Sequence, residues 1–253
     1  DSDTVPGLAN RIVGKWAIFH TTGMPIKYYP YPEESTAYVG IPIGEGMKPL
    51  SLQRQKAVKK RLGLAPASRV LLVAGGGHGS RDINNVVVKI APALLESNLA
   101  LHIVHITGQA HELAVKKTYQ NSLKATERDR VTVLGFTNDF TDYSAVADLI
   151  ISRAGATALA EFAALARACL IIPSPFLAGG HQLKNAEVLK KLDAAAVISN
   201  DVEPDELLGI VSELLGNDQR RATLAKNLAK TAHTDAAEKI AGILIRIVKA
   251  QNI

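Results

Sequence analysis

Short apolar runs rich in Val, Ile and Leu alternate along the chain with longer segments in which apolar residues return at helical spacing. Val70–Ala74, Leu101–Thr107, Val131–Phe136, Asp148–Ser152, Leu170–Pro173 and Ala195–Ser199 read as strands buried on both faces. Asp82–Ser97, Glu112–Leu123, Asp139–Ala147, Thr157–Ala166, Gln182–Leu192, Pro204–Leu215, Asp218–Lys230 and Asp235–Ala250 read as helices. Pro92 is expected to kink or break the first of these. A basic helix, Leu50–Arg61, precedes the first strand and is closed by Gly63. Such alternation implies βαβ units and an α/β fold with a doubly wound, mostly parallel sheet that binds ligands at the carboxyl ends of its strands. Ahead of it, Asp1–Phe19 is too short to be a domain. Gly23, Pro25, Pro30 and Pro32 mark 20–37 as loop and linker, and Tyr38–Ile43 looks like a strand end entering the new unit.

Three loops carry candidate chemistry. In Ser152-Arg153-Ala154-Gly155-Ala156-Thr157-Ala158-Leu159-Ala160-Glu161, small residues join a buried strand to a helix, so a ligand can approach bare backbone N–H groups where the helix dipole favours an anion. Glu161, about one turn further in, would repel a phosphate but can accept hydrogen bonds from the hydroxyls of a ribose. Together they suggest a nucleotide diphosphate. Gly75-Gly-Gly-His-Gly-Ser80 also follows a strand, yet fits neither GxxxxGK[ST] nor GxGxxG, because Ser80 stands where the last glycine should be. It reads equally as a tight turn or as a diphosphate or sugar contact, with His78 a turn residue. The long irregular loop from Pro173 feeds a helix at His181 and Gln182, which suit sugar hydroxyls or merely cap the helix. His102 and His105 lie three apart on one strand and point to opposite faces, so they are no metal pair.

Composition narrows the picture. A net charge of +5 and a pI near 9.2 suit phosphorylated ligands or an anionic membrane surface. With 5% aromatic residues and no basic run interleaved with stacking rings, no nucleic-acid partner is expected. The single cysteine, Cys169, excludes an internal disulfide and a cysteine zinc site and reads as a buried hydrophobe in a reducing compartment. No apolar run is long enough to span a bilayer and no signal peptide is visible, so the sequence reads as cytoplasmic. It opens on Asp1 and runs directly into patterned sequence, which we read as the interior of a longer protein.

In order, Asp3-Thr4-Val5-Pro6-Gly7-Leu8-Ala9-Asn10, Val39-Gly40-Ile41-Pro42-Ile43, Gly75–Arg81 with Asn84, Ser152–Ala156 with Glu161, and His181-Gln182 with Asn185-Ala186 resemble the MurG family. These bacterial N-acetylglucosaminyltransferases convert lipid I to lipid II in peptidoglycan synthesis. The resemblance covers essentially the whole chain and implies a GT-B fold of two Rossmann-like halves, one for the lipid acceptor and one for the UDP-sugar donor. Residues 1–37 would then end the acceptor half and form the linker, 38–234 would be the donor domain, and 235–253 would be a helix crossing back.

The resemblance further implies that the backbone of Gly155, Ala156 and Thr157 holds the donor diphosphate and that Glu161 holds the ribose. His181 and Gln182 would meet the N-acetylglucosamine, with Asn185 supporting that loop as part of the sugar site. Gly76, Gly77 and His78 would wall the cleft, and Phe136 with Thr137 would lie near the uracil. No metal or other cofactor and no catalytic base are expected in this chain. The base is expected before residue 1, together with the lipid-linked acceptor's contacts, and a peripheral site on the inner face of the cell membrane follows from that acceptor. A non-catalytic UDP-sugar-binding subunit and a GT-B glycolipid transferase with another acceptor remain open. Two positions depart from the family pattern: Gly44 stands where a diphosphate-binding arginine is common, and Gly77 where a serine is. Arg81 or Arg153 would compensate or brace the loop.

Overall fold

The computed structural model describes residues 1–250; residues 251–253, the tail of the segment expected to cross back, lie outside the described residues. The chain opens with the short helix α1 (Leu8–Val13), then β1 (His20–Thr22) and β2 (Thr36–Tyr38), which pair in parallel from His20↔Thr36 to Thr22↔Tyr38. This corrects the reading of 20–37 as loop and linker. The prolines confine the irregular backbone to the connection, while His20 stacks on Tyr31 at 4.0 Å and the Tyr29 hydroxyl donates to the Asp3 carbonyl. The strand predicted through Ile43 ends at Tyr38, after which the Val39 and Gly40 N–H groups both donate to Thr22 O.

Helix α2 (Leu52–Arg61) starts on a Ser51 cap that accepts from the Arg54 N–H and carries Lys59, Lys60 and Arg61 in its last turn, where the dipole favours cations. The α/β unit follows: β3 (Arg69–Ala74), α3 (Arg81–Ser97), β4 (Leu101–Ile106), α4 (Glu112–Ser122), a single helical turn α5 (Ala125–Arg128) and β5 (Val131–Leu134). It continues through α6 (Phe140–Val146), β6 (Leu149–Ser152), α7 (Ala156–Ala164), β7 (Cys169–Ile171), α8 (His181–Lys191) and β8 (Ala196–Val197). Helices α9 (Pro204–Gly216), α10 (Asp218–Ala229) and α11 (Ala236–Ala250) complete it.

Six parallel strands form one sheet in the order β5-β4-β3-β6-β7-β8. Alternate strand residues feed opposite cores, as a pleat requires. Leu71, Val73, Leu101, Ile103, Leu149 and Ile151 pack under α3, α4 and α9, while Val70, Leu72, Val104, Ile150 and Ile171 pack under α6, α7 and α8. Pro92 does not break α3, which runs unbroken with Ile90, Ala91, Leu94 and Leu95 buried around it. Burying such side chains stabilises by about 1.5–3 kcal/mol each, more in sum than the roughly 3 kcal/mol that an interior proline costs. The last strand is shorter than predicted because, at the sheet edge, its two residues are only half-buried. Among the described residues no helix is long and apolar enough to cross a membrane.

Candidate functional site

From β3 the chain moves outward to β4 and β5, then returns to β6 and moves the other way to β7 and β8. The reversal falls between β3 and β6, whose last residues Ala74 and Ser152 are register partners. Open α/β sheets bind ligands at such a switch point, beyond the carboxyl ends of the strands. Both glycine-bearing loops emerge there, and the Ser152 hydroxyl donates to the Ala74 carbonyl at 2.9 Å, fastening the two strands at the mouth.

A cleft of about 340 Å³ opens between the loops. Ala74, Ile106 and Ser152 form its floor; Gly76 and Gly77 stand on one side, Thr157, Ala158 and Glu161 of α7 on another, and Phe136, Thr137 and Phe140 close it. Gly155, the N-cap of α7, supplies no capping side chain, and a β-carbon on it would meet nothing within 4 Å. The first N–H groups of α7 are therefore approachable by an anion. Burial pushes the half-buried Glu161 carboxyl above the usual range. Phe136 is 61% exposed, presenting an apolar ring at the rim. The cleft thus combines Thr157 in the first turn of α7, the Glu161 carboxyl about one turn further along the helix, and an aromatic surface.

The first loop is interlocked with its neighbour. Gly79 has φ +78°, and a β-carbon there would lie 1.9 Å from the Thr107 carbonyl oxygen; Gly108 has φ +85° with the His78 carbonyl at 2.2 Å. From the other side the buried Arg153 guanidinium donates to Ile172 O at 2.9 Å, Ser80 Oγ at 2.7 Å and the Asp82 carboxylate at 3.2 Å, and also to the Asn200 side chain. Burial lowers its pKa, offset in part by Asp82. Arg153 is therefore a brace of the loop; Arg81 is exposed at the first turn of α3.

Residues 70–240 match the glycosyltransferase family 28 C-terminal domain. The chain belongs to this family. A relative from Geotalea uraniireducens, named UDP-N-acetylglucosamine--N-acetylmuramyl-(pentapeptide) pyrophosphoryl-undecaprenol N-acetylglucosamine transferase, is 31% identical over 252 residues, or 97% of this chain and 65% of its own length. One of the same name from Desulfotalea psychrophila is 30% identical across 100% of this chain and 66% of itself. The chain thus spans just under two thirds of these relatives. Among solved structures, MurG from Acinetobacter baumannii superposes with a TM-score of 0.72 at 23% identity, covering 97% of this chain and 66% of that one. The S. aureus MnaA–UDP co-structure gives 0.66 at 13% identity, over 96% and 63%. At these identities the superpositions establish the fold, a GT-B-like α/β architecture.

Within this family 28 domain, six of the residues named from sequence line the one cleft: Gly76, Gly77, Phe136, Thr137, Thr157 and Glu161. Gly155 and Ala156 stand at the head of α7, but Ala156 lines a smaller cavity shared with Gly40 and His233 and not this cleft. His78 is exposed at the loop tip and does not line the cleft. His181 begins α8, and Gln182 accepts the Ser174 N–H at 3.0 Å, which ties down the loop after β7.

Asn185 requires a correction. It is wholly buried; its Oδ1 accepts from the Thr4 N–H and hydroxyl at 3.0 and 2.9 Å, and its Nδ2 donates to Asp3 Oδ1 and Ala154 O at 2.8 and 3.0 Å. Those four bonds saturate a carboxamide, so Asn185 latches the first segment onto the turn before α7 and has no group left for a sugar. Sequence reasoning also missed Ile106 and Phe140 in the lining, and the supporting roles of Ser80 and Asp82. The one available signal was Ser80 immediately before a helical pattern, a cap that accepts from the Ile83 N–H.

Two buried histidines bear on stability. His102 Nε2 pairs with the Thr132 hydroxyl at 2.8 Å, and His105 bonds Asn84 and Tyr119. Burial, assisted at His102 by Arg130, lowers the former to about 4, and burial alone lowers the latter to about 3, from 6.5. Below pH 6.5 the unfolded chain takes up protons that the folded chain excludes, so stability present above that pH is lost on acidification toward the folded values. Each histidine is expected to remove roughly 2–3 kcal/mol of unfolding free energy by about pH 4.5. Urea midpoints measured across this range check it; a flat profile would contradict it.

Proposed function

We propose that the cleft binds UDP-N-acetylglucosamine and that the chain is the donor-binding part of an inverting glycosyltransferase that moves N-acetylglucosamine onto lipid I to give lipid II. The observation that carries the reading is the convergence, at the sheet's switch point, of the uncapped start of α7 and the Glu161 carboxylate one turn along it. From Thr157, the first α7 residue lining the cleft, Glu161 lies roughly 6 Å along the helix, a separation that matches a diphosphate joined to a ribose. Phe136 at the rim suits a flat base. The names of the relatives supply the sugar and the acceptor.

In this proposal the acceptor hydroxyl attacks the anomeric carbon, a new C–O bond forms on the opposite face, and the bond to the phosphate oxygen breaks. Negative charge then grows on the departing UDP. The N–H groups of Gly155, Ala156 and Thr157, at the start of α7, are assigned to it, and each such preorganised donor contributes about 3 kcal/mol to a transition state. No metal is assigned to this step. Glu161 is the one titratable side chain lining the described cleft and is engaged by the ribose, so the base that takes the acceptor's proton is assigned to an acceptor-binding part outside these residues. Exposed apolar side chains on α1 (Leu8, Ile12) and α11 (Leu244, Ile245, Val248) support such a packing partner. His181 and the loop it follows are assigned to the sugar. A peripheral site at the cytoplasmic face of the membrane follows from the lipid acceptor and agrees with the net positive charge.

Calorimetric titration with UDP-N-acetylglucosamine, UDP and GDP tests the reading. UDP is expected to keep most of the affinity of the nucleotide sugar and GDP to lose it; equal binding of GDP would sink the uridine assignment.

A further inference from the structure

Behind the glycine loop lies a buried chain of polar side chains that the proposed reaction does not use. The Asn84 carboxamide, 2% exposed in the first turns of α3, lies 3.0 Å from Thr107 O through its Nδ2 and 3.0 Å from His105 Nε2 through its Oδ1. His105, on β4, lies 2.9 Å from the Tyr119 hydroxyl on α4 through Nδ1. Every hydrogen in this chain can be assigned. Thr107 O is a carbonyl and only accepts, so Asn84 must present its NH2 there and its oxygen to His105. That oxygen also only accepts, so His105 carries its proton on Nε2, and Nδ1 is left to accept from Tyr119. His105 lies wholly inside the core with no charged group bonded to it.

The far end of the chain is the loop itself. Thr107 O, the atom Asn84 holds, is the atom against which the Gly79 backbone rests. The Asn84 N–H also donates to Ser80 O, closing the first turn of α3 directly behind that loop. If the carboxamide rotated by half a turn, its oxygen would face Thr107 O and its NH2 the His105 N–H, two buried clashes of like groups.

We propose that His105 is a positioning residue for the donor site. Its Nε2–H fixes the Asn84 carboxamide, which holds the Thr107 carbonyl against Gly79 and so sets where Gly76 and Gly77 stand in the cleft. The binding half of this inference rests on the donor-site reading above; the loop half does not.

The test compares three variants of the 253-residue chain by amide NMR of Gly76 and Gly77 and by UDP titration. His105→Gln places an amide N–H close to the position of Nε2, His105→Asn is too short to reach Asn84, and His105→Leu removes the donor. His105→Gln is expected to keep both glycine resonances near their wild-type positions and UDP affinity within about threefold, whereas His105→Asn and His105→Leu shift the resonances and weaken UDP by about tenfold or more. Asn84→Ala, which leaves His105 in place, is expected to shift the same two resonances and serves where His105→Leu does not fold. Unmoved Gly76 and Gly77 amides in the folded Leu or Ala variant, or a Gln variant no better than the Asn variant, would overturn the positioning role. Amides that move in the variants of a chain that binds no UDP would instead overturn the donor-site reading.

Discussion

Gly79→Ala is expected to lower the unfolding free energy by roughly 3 kcal/mol or more and to abolish nucleotide binding in whatever remains folded. The cause is double. Its φ of +78° is one that L side chains rarely adopt, and the added methyl would lie 1.9 Å from Thr107 O, a backbone atom that cannot rotate away. Relief requires parting the first loop from the end of β4, which also displaces Gly76 and Gly77 from the cleft. Gly77→Ser provides the contrast. A β-carbon at Gly77 meets nothing within 4 Å and its φ is not positive, so the change is expected to cost under about 0.5 kcal/mol. Urea unfolding of the two variants side by side checks this; equal losses would show that the interlock is not what holds the loop.

Glu161→Ala is expected to weaken UDP by about 10–100-fold, because hydrogen bonds to a charged acceptor are worth roughly 1.5–3 kcal/mol. Glu161→Gln keeps one acceptor oxygen without the charge and should fall between. Burial holds the carboxyl above its usual pKa. The carboxylate is therefore lost on acidification earlier than an exposed glutamate would be, and wild-type affinity should fall with it while the Ala variant's does not. Stability should move the other way. A carboxyl raised in the folded state is more readily protonated there than in the unfolded chain, so above that range its charge opposes folding. Glu161→Ala should thus unfold no more easily than wild type at neutral pH. Loss of binding without loss of stability, read by calorimetry and urea unfolding, separates a ligand contact from a core contact.

Much of this architecture was legible in the amino-acid sequence. Apolar runs such as Leu149–Ile151 and Val70–Ala74 are unambiguous because a strand buried on both faces leaves no polar alternation to misread. The turn at Gly155 from β6 into α7, and the place of Glu161 on that helix, were legible because an apolar run, then small residues, then helical spacing mark such a junction. What escaped was set by contacts distant in sequence. Thr22 pairs with Tyr38 across a proline-rich connection, which local composition marks only as loop. The resemblance places Asn185 in the sugar loop, whereas its partners Asp3 and Thr4 lie at the far end of the chain. Arg153, beside the turn into α7, invites a role with phosphate, yet it turns inward to Ser80 and Ile172. Motifs locate backbone more reliably than they say which way a long polar side chain points.

The central claim is that a uridine nucleotide sits between the loop after β3 and the start of α7. Titration of UDP into the isotope-labelled chain, followed by amide NMR, tests it most directly. The largest shifts are expected to fall together on Gly76, Gly77, Gly155, Ala156 and Thr157, with Phe136 and Thr137 following, while Lys116 to Leu123 on the opposite face of the sheet stay unmoved. Shifts absent from the Gly155–Thr157 turn, or concentrated on α4, would contradict it.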